Sequence, residues 1–179
     1  LDDNGKPLTC ADYLRDGYTL QAYMTAVDPA VWGKKVVSGT LETARVTSQK
    51  AQEERVRIRI GGNTTIVGVG STATIRGAWF DVRGTTTTPI SNIIVRNLTF
   101  QDTFDCFSQW DPTDGTDGNW NSLYDSISLR YVDHVWVDHN TFEDKTTADS
   151  TAPTYFGRHF EMHDGQLDIT NAADLVTVS

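Results

Sequence analysis

Apolar positions along the chain change period once, and the change marks a boundary in architecture. Leu20, Tyr23, Met24 and Val27 fall at i, i+3, i+4 and i+7, one apolar face of a helix that must end before Pro29. A second helix is predicted from Leu41 to Glu54, where Leu41, Ala44, Ser48 and Ala51 form a narrow stripe of mostly small residues, suited to a close approach to a sheet. From Arg55 the period falls to 2: Arg55 to Ile60 alternates arginine with β-branched apolar residues, giving one buried and one wet face, with the arginines on the solvated side. Beyond it the chain repeats. Thr65-Ile66-Val67-Gly68, Ile93-Ile94-Val95-Arg96-Asn97, Val135-Trp136-Val137-Asp138-His139-Asn140 and Val176-Thr177-Val178-Ser179 superimpose on Val67, Val95, Val137 and Val178, at separations of 28, 42 and 41 residues. Asn97-Leu98-Thr99-Phe100 matches His139-Asn140-Thr141-Phe142, and a second set of strands includes Ile127-Ser128-Leu129 and Leu167-Asp168-Ile169.

Short strands at unequal but solenoid-sized intervals indicate stacked coils, with inserts placed on one face that often binds. An antiparallel sandwich is the competing architecture, but its two-residue hairpin signals are missing between these strands. The expected fold is therefore all-β, a right-handed parallel β-helix with short N-terminal helices. Residues 1–54 form a helical capping insert, and 55–179 form the coils, with loops at 101–122 and 143–162. Asn97 and Asn140, just after their strands, suit left-handed corners, and Asp138-His139 at the same corner reads as a structural pair held by local hydrogen bonds.

A formal net charge of −9 argues against a nucleic-acid partner, since that affinity comes mainly from Lys and Arg displacing counterions; an acidic surface suits cations instead. No stretch approaches the roughly 20 apolar residues of a membrane-crossing helix, so no membrane partner is expected, and the first residues lack the basic and apolar regions of a signal peptide. Cys10 and Cys106 allow one bridge or two buried thiols, and the sequence leaves both open.

At Val135-Trp136-Val137-Asp138-His139-Asn140-Thr141-Phe142 the chain resembles the pectate lyases of the first polysaccharide lyase family. Trp110-Asp111-Pro112-Thr113-Asp114-Gly115, Trp120 to Asp125 and His163-Asp164-Gly165-Gln166-Leu167-Asp168 agree. Asp28 to Gly33, Ser38 to Glu42 and Asn63 to Gly68 are similar to its bacterial, Bacillus-type branch. The resemblance implies a secreted, calcium-dependent enzyme that cleaves α-1,4-polygalacturonate (pectate) by β-elimination to 4,5-unsaturated oligogalacturonates. It places the primary Ca2+ ligands on Asp125, Asp164 and Asp168. Asp114 would meet further calcium arriving with substrate, though it suits a plain turn as well. The family's base, an arginine assisted by a lysine, is expected beyond Ser179, so no catalytic residue is assigned in this chain. The coils are expected to be incomplete at both ends and completed by further segments of the same enzyme; these 179 residues alone would be inactive.

The residue chemistry agrees with the transfer. Calcium takes six to eight oxygen ligands, usually several carboxylates. Asp164, Gln166 and Asp168 share a strand face opposite Leu167 and Ile169. Stacking Leu167-Asp168-Ile169 on Ile127-Ser128-Leu129 sets Asp125 beside Gly165, close to Asp164. Asp125 has the phase of buried Ile127, so it must leave the strand at a bend. A solvated acidic patch is the plain alternative. His134, His139, His159 and His163 show no zinc spacing and read as packing residues, while Arg130 and Arg158 read as surface charges able to meet a uronate carboxylate. Two other functions fit the pattern in part: a pectin lyase, which does not need the acidic site, and a non-catalytic calcium- or carbohydrate-binding β-helix.

Overall fold

A computed structural model describes residues 4–146 and 148–179, which fall into two compact units. The helices are α1 (Cys10–Tyr13), α2 (Leu20–Ala26), α3 (Pro29–Trp32) and α4 (Thr40–Val56). The strands are β1 (Arg57–Ile60), β2 (Thr64–Val67), β3 (Thr74–Arg76), β4 (Trp79–Arg83), β5 (Ile90–Arg96), β6 (Thr99–Gln101), β7 (Gln109–Asp111) and β8 (Asn119–Asn121). They continue as β9 (Ile127–Arg130), β10 (Val132–Asp138), β11 (Thr141–Glu143), β12 (Thr154–Tyr155), β13 (Arg158–His159), β14 (Leu167–Thr170) and β15 (Asp174–Val178).

The larger unit, residues 56–104, 124–148 and 163–179, is a parallel β-helix. Its sheets run β1-β4-β9-β14, β15-β10-β5-β2 and β11-β6-β3, and every pairing in them is parallel. The chain visits the sheets in the same order on each coil, so like residues stack in columns. Ile60, Val82, Leu129 and Ile169 form one column, and Ile66, Val95, Val137 and Val178 another. Phe100 stacks on Phe142 with centroids 5.2 Å apart. Middle members are fully buried, while Ile169 and Val178, with a strand on one side only, are half exposed.

Two local readings shift. Ile66, not Val67, stands in register with Val95, and Val67 is 50% exposed; two adjacent β-branched residues leave the phase ambiguous, and a slip of one exchanges the faces. α4 continues through Val56, so the strand begins at Arg57 and the first two residues of the alternating run belong to the helix. At the corners, Asn97 takes the left-handed backbone (φ 56°), but one coil on the position belongs to His139 (φ 51°). Asn140 instead ties the coils together: its Oδ1 accepts from Leu98 N at 3.0 Å and its Nδ2 donates to Val95 O at 2.8 Å. Asp138, nearly fully buried, receives Arg96 at 2.6 Å, His139 at 2.5 Å and Ser179 Oγ at 2.8 Å, a structural corner as expected.

The other unit, residues 1–55, 105–123 and 149–162, has its own aromatic core. Thr19 caps α2 by accepting from Ala22 N, and Asp28 caps α3 by accepting from Ala30 N. The buried face of α4 is Ala44, Arg45, Ser48 and Gln52, more polar than the expected stripe; Ser48 donates to Ala44 O and accepts from Arg15 N, and Arg45 and Gln52 are met by chain from the insert. Arg45 donates to Phe107 O at 2.7 Å, and Gln52 Oε1 accepts from Cys106 N at 2.9 Å. Trp110 and Trp120 face each other across the β7–β8 hairpin, both fully buried, and Phe156 lies parallel to Trp120 at 5.7 Å. Asp105 is also fully buried and accepts from Gln49 Nε2, Phe107 N and Leu123 N; burial nevertheless pushes its carboxyl up to about 6.

Cys10 and Cys106 are disulfide-bonded, Cα atoms 5.5 Å apart, joining α1 to the insert across 96 residues of chain. A loop of that length makes the cross-link's effect on the unfolded chain large, so Cys10→Ala with Cys106→Ala is expected to lower stability by about 2–4 kcal/mol. Denaturant unfolding of the variant beside the parent measures it; equal midpoints would show that the bridge adds nothing to stability.

Candidate metal centre

Asp125 sits at the bend before β9, with a side chain that is 0% exposed. Its Oδ2 accepts from Ser128 Oγ, which in turn accepts from Trp79 Nε1 at 2.7 Å. This relay across neighbouring strands fixes the carboxylate's rotation. Its Oδ1 is buried with no hydrogen-bond partner among the described residues, an expensive arrangement for an ionisable oxygen unless something else meets it. Directly across, Gly165 supplies the room. A methyl group added there would lie 3.2 Å from Asp125 Oδ1 and 2.9 Å from Asp168 Oδ1, so carboxylate oxygens from two neighbouring coils converge over a position that only glycine leaves open.

The third acid, Asp164, lies beside Gly165 at the surface, and the Gly165 N–H donates to its carboxylate. Burial first, and then the charges of Asp164 and Asp168, push Asp125 up to about 6, against the Ser128 hydrogen bond and Arg130. Asp164 is raised as well, by desolvation first and then by Asp168, with Gly165 and Arg130 acting the other way. All three acids therefore share one electrostatic environment. Among the described residues no three Asp, Glu, His or Cys side chains close into a preformed metal cage. What does exist is an all-oxygen donor set: an orphaned buried carboxylate oxygen, a second oxygen facing the same glycine, and an adjacent surface carboxylate. That set fits a hard divalent cation with water completing its shell.

A neighbouring network holds the 163–166 segment. Gln166 donates to Asp144 Oδ2 at 2.7 Å and accepts from Ser126 Oγ at 2.7 Å. Buried His163 lies 2.9 Å from Thr103 O and 3.2 Å from Asp144 Oδ1, a packing role. His134 and His139 pair with Asp133 and Asp138, and His159 lies 3.3 Å from Ala152 O. Asp114 belongs to the other unit, in the turn after β7, where its N–H donates to Asp111 O at 3.3 Å; Arg158, in the same unit, pairs with Asp117 at 3.2 Å. Sequence reasoning missed Trp79 and Ser128, because the register that stacks their strands cannot be read from either strand alone.

The family profile described as Pectate lyase matches residues 22–179. A pectate lyase of Bacillus subtilis is 49% identical over the whole chain, and pectate lyase E of Dickeya dadantii is 37% identical over 74% of it. A solved pectate lyase bound to a hexasaccharide superposes over the whole chain with a TM-score of 0.93 at 49% identity, and the pectate lyase of Acidovorax avenae subsp. citrulli does so at 0.88 and 36%. The chain spans 41% of the length of the Bacillus relative and 31% of the Dickeya one.

Proposed function

The chain belongs to the pectate lyase family, and from that membership we propose calcium-dependent cleavage of α-1,4-polygalacturonate by β-elimination, with Asp125, Asp164 and Asp168 as the calcium ligands. The observation that carries the calcium reading is the unpartnered, buried Oδ1 of Asp125 facing Asp168 over Gly165. Substrate and chain are both anionic, the chain by a net −9, so direct approach is repulsive and a cation between them reverses the sign. Calcium, when bound there, would link protein and uronate carboxylates and stabilise the negative charge that develops as the C5 proton leaves. The chain's own part is positional: Trp79 and Ser128 lock Asp125, and the Gln166–Asp144 bond anchors the segment bearing Asp164 and Asp168.

The proton-accepting arginine and its assisting lysine are proposed to lie in further segments of the enzyme beyond Ser179, a reading consistent with the part of each relative that this chain spans. Secretion is supported by the Cys10–Cys106 disulfide, which persists in oxidising compartments. Among the described residues no helix is long and apolar enough to cross a membrane.

The test uses the full-length protein on polygalacturonate, following absorbance of the unsaturated product at alkaline pH with calcium and then with a chelator. Product that forms with calcium and stops with chelator is the expected result. Activity on methylated pectin that survives the chelator would make it a pectin lyase. Binding of polygalacturonate with no product would make it a carbohydrate-binding β-helix.

A further inference from the structure

On the sheet β1-β4-β9-β14, register sets acids and bases in adjacent rows across the coils. Asp81, Ser128 and Asp168 share one row; Arg83, Arg130 and Thr170 share the next. The two arginines differ in their surroundings. Arg83 is committed to Asp81, Nε to Oδ1 at 3.2 Å. Arg130, at the end of the strand that Asp125 leads into, forms no such pair among the described residues, and its Nε is buried without a hydrogen-bond partner. An orphaned donor of positive charge thus stands at the far end of the strand that follows the orphaned acceptor of negative charge, Asp125 Oδ1. The guanidinium is close enough to favour the ionised forms of both Asp125 and Asp164, yet it bonds to neither.

Resting on the calcium reading above, we propose that Arg130 is a resident counter-cation of the carboxylate cluster and sets its calcium affinity. Without metal, its charge offsets the mutual repulsion of Asp125, Asp164 and Asp168, and so helps the coils tolerate three neighbouring acids. When calcium enters, the same fixed charge repels it, and affinity is lower than the donor set alone would give. A uronate carboxylate arriving at this face would neutralise Arg130 and remove that opposition, so calcium and substrate would strengthen each other's binding, as linkage requires. Arg130 is in this sense a positioning residue, acting through the charge of the site.

The decisive measurement is calorimetric titration of the full-length, chelator-stripped protein with calcium. Arg130→Gln is expected to bind calcium about fivefold more tightly than the parent, the scale of one unit charge roughly 9 Å from a divalent ion at the dielectric of water. Its thermal midpoint should fall in chelator and recover in excess calcium, whereas Arg130→Lys, which keeps the charge, should match the parent in both. If Arg130→Gln does not fold, Arg130→Met keeps the apolar stem and is expected to show the same tightening. Equal or weaker calcium binding in the neutral variant overturns this inference alone. Absence of calcium binding by the parent overturns the calcium reading and this inference together.

Discussion

Val137→Asp is expected to destabilise the β-helix by more than about 4 kcal/mol, enough to abolish a cooperative melt. Val137 is 1% exposed in β10, with Val95 and Val178 in register on either side, so no rotamer takes a carboxylate from this column to water. Its neighbours in the column, Ile66, Val95 and Val178, are all apolar and offer the carboxylate no counter-charge. Val67→Asp is the matched control. Val67 is half exposed and off the column by one residue, so its substitution should change stability by no more than about 0.5 kcal/mol. Denaturant unfolding followed by circular dichroism distinguishes the two. A small effect at Val137, or a large one at Val67, would mean that the columns are phased differently.

That pair of valines also shows what the sequence could and could not reveal. The coil repeat was legible because Val95, Val137 and Val178 sit in strands with one apolar phase, and their stacking follows the predicted register. At Ile66-Val67 both residues satisfy the alternation, so only the neighbouring strand decides which one turns inward. The pairing of Ile127 with Leu167 was legible for the same reason, and with it the placement of Asp125 beside Gly165. The bend demanded by the parity of Asp125 exists: it lies just before β9, held by Ser128.

The aromatic unit was not legible. Trp110, Trp120, Phe156 and Phe160 lie on inserts without strand or helix period, and they form a core because the inserts meet one another, a long-range event that local pattern does not encode. The polar inner face of α4 was hidden for a related reason. Arg45 and Gln52 look like surface residues until the insert supplies Phe107 O and Cys106 N as partners, and Ser48 until Arg15 N donates to its hydroxyl. The disulfide likewise depends on α1 and the insert meeting, which two isolated cysteines cannot announce.

In the full-length protein, Asp125→Asn is expected to weaken calcium binding by about a hundredfold to a thousandfold, within the range that ligand charge count spans across calcium sites. Asparagine keeps the size of the side chain and can still accept from Ser128 Oγ, so the change is one of charge at the buried oxygen that has no partner. Asp168→Asn should follow closely, because its Oδ1 faces the same glycine, and Asp164→Asn should weaken binding least, since that carboxylate lies at the surface where water can replace it. The same Asp125 variant should be more stable than the parent in chelator. Burial raises the Asp125 carboxyl to about 6, so the folded state favours its protonated form; that share of stability is full below about 3.8 and is lost as pH rises through 6. At pH 8 the parent therefore holds a buried charge against Asp164 and Asp168 that asparagine removes. Calorimetry and melts with and without calcium read the two effects separately. Weaker binding joined to a higher metal-free midpoint identifies a carboxylate kept for the metal; unchanged affinity in all three variants would move the calcium site elsewhere.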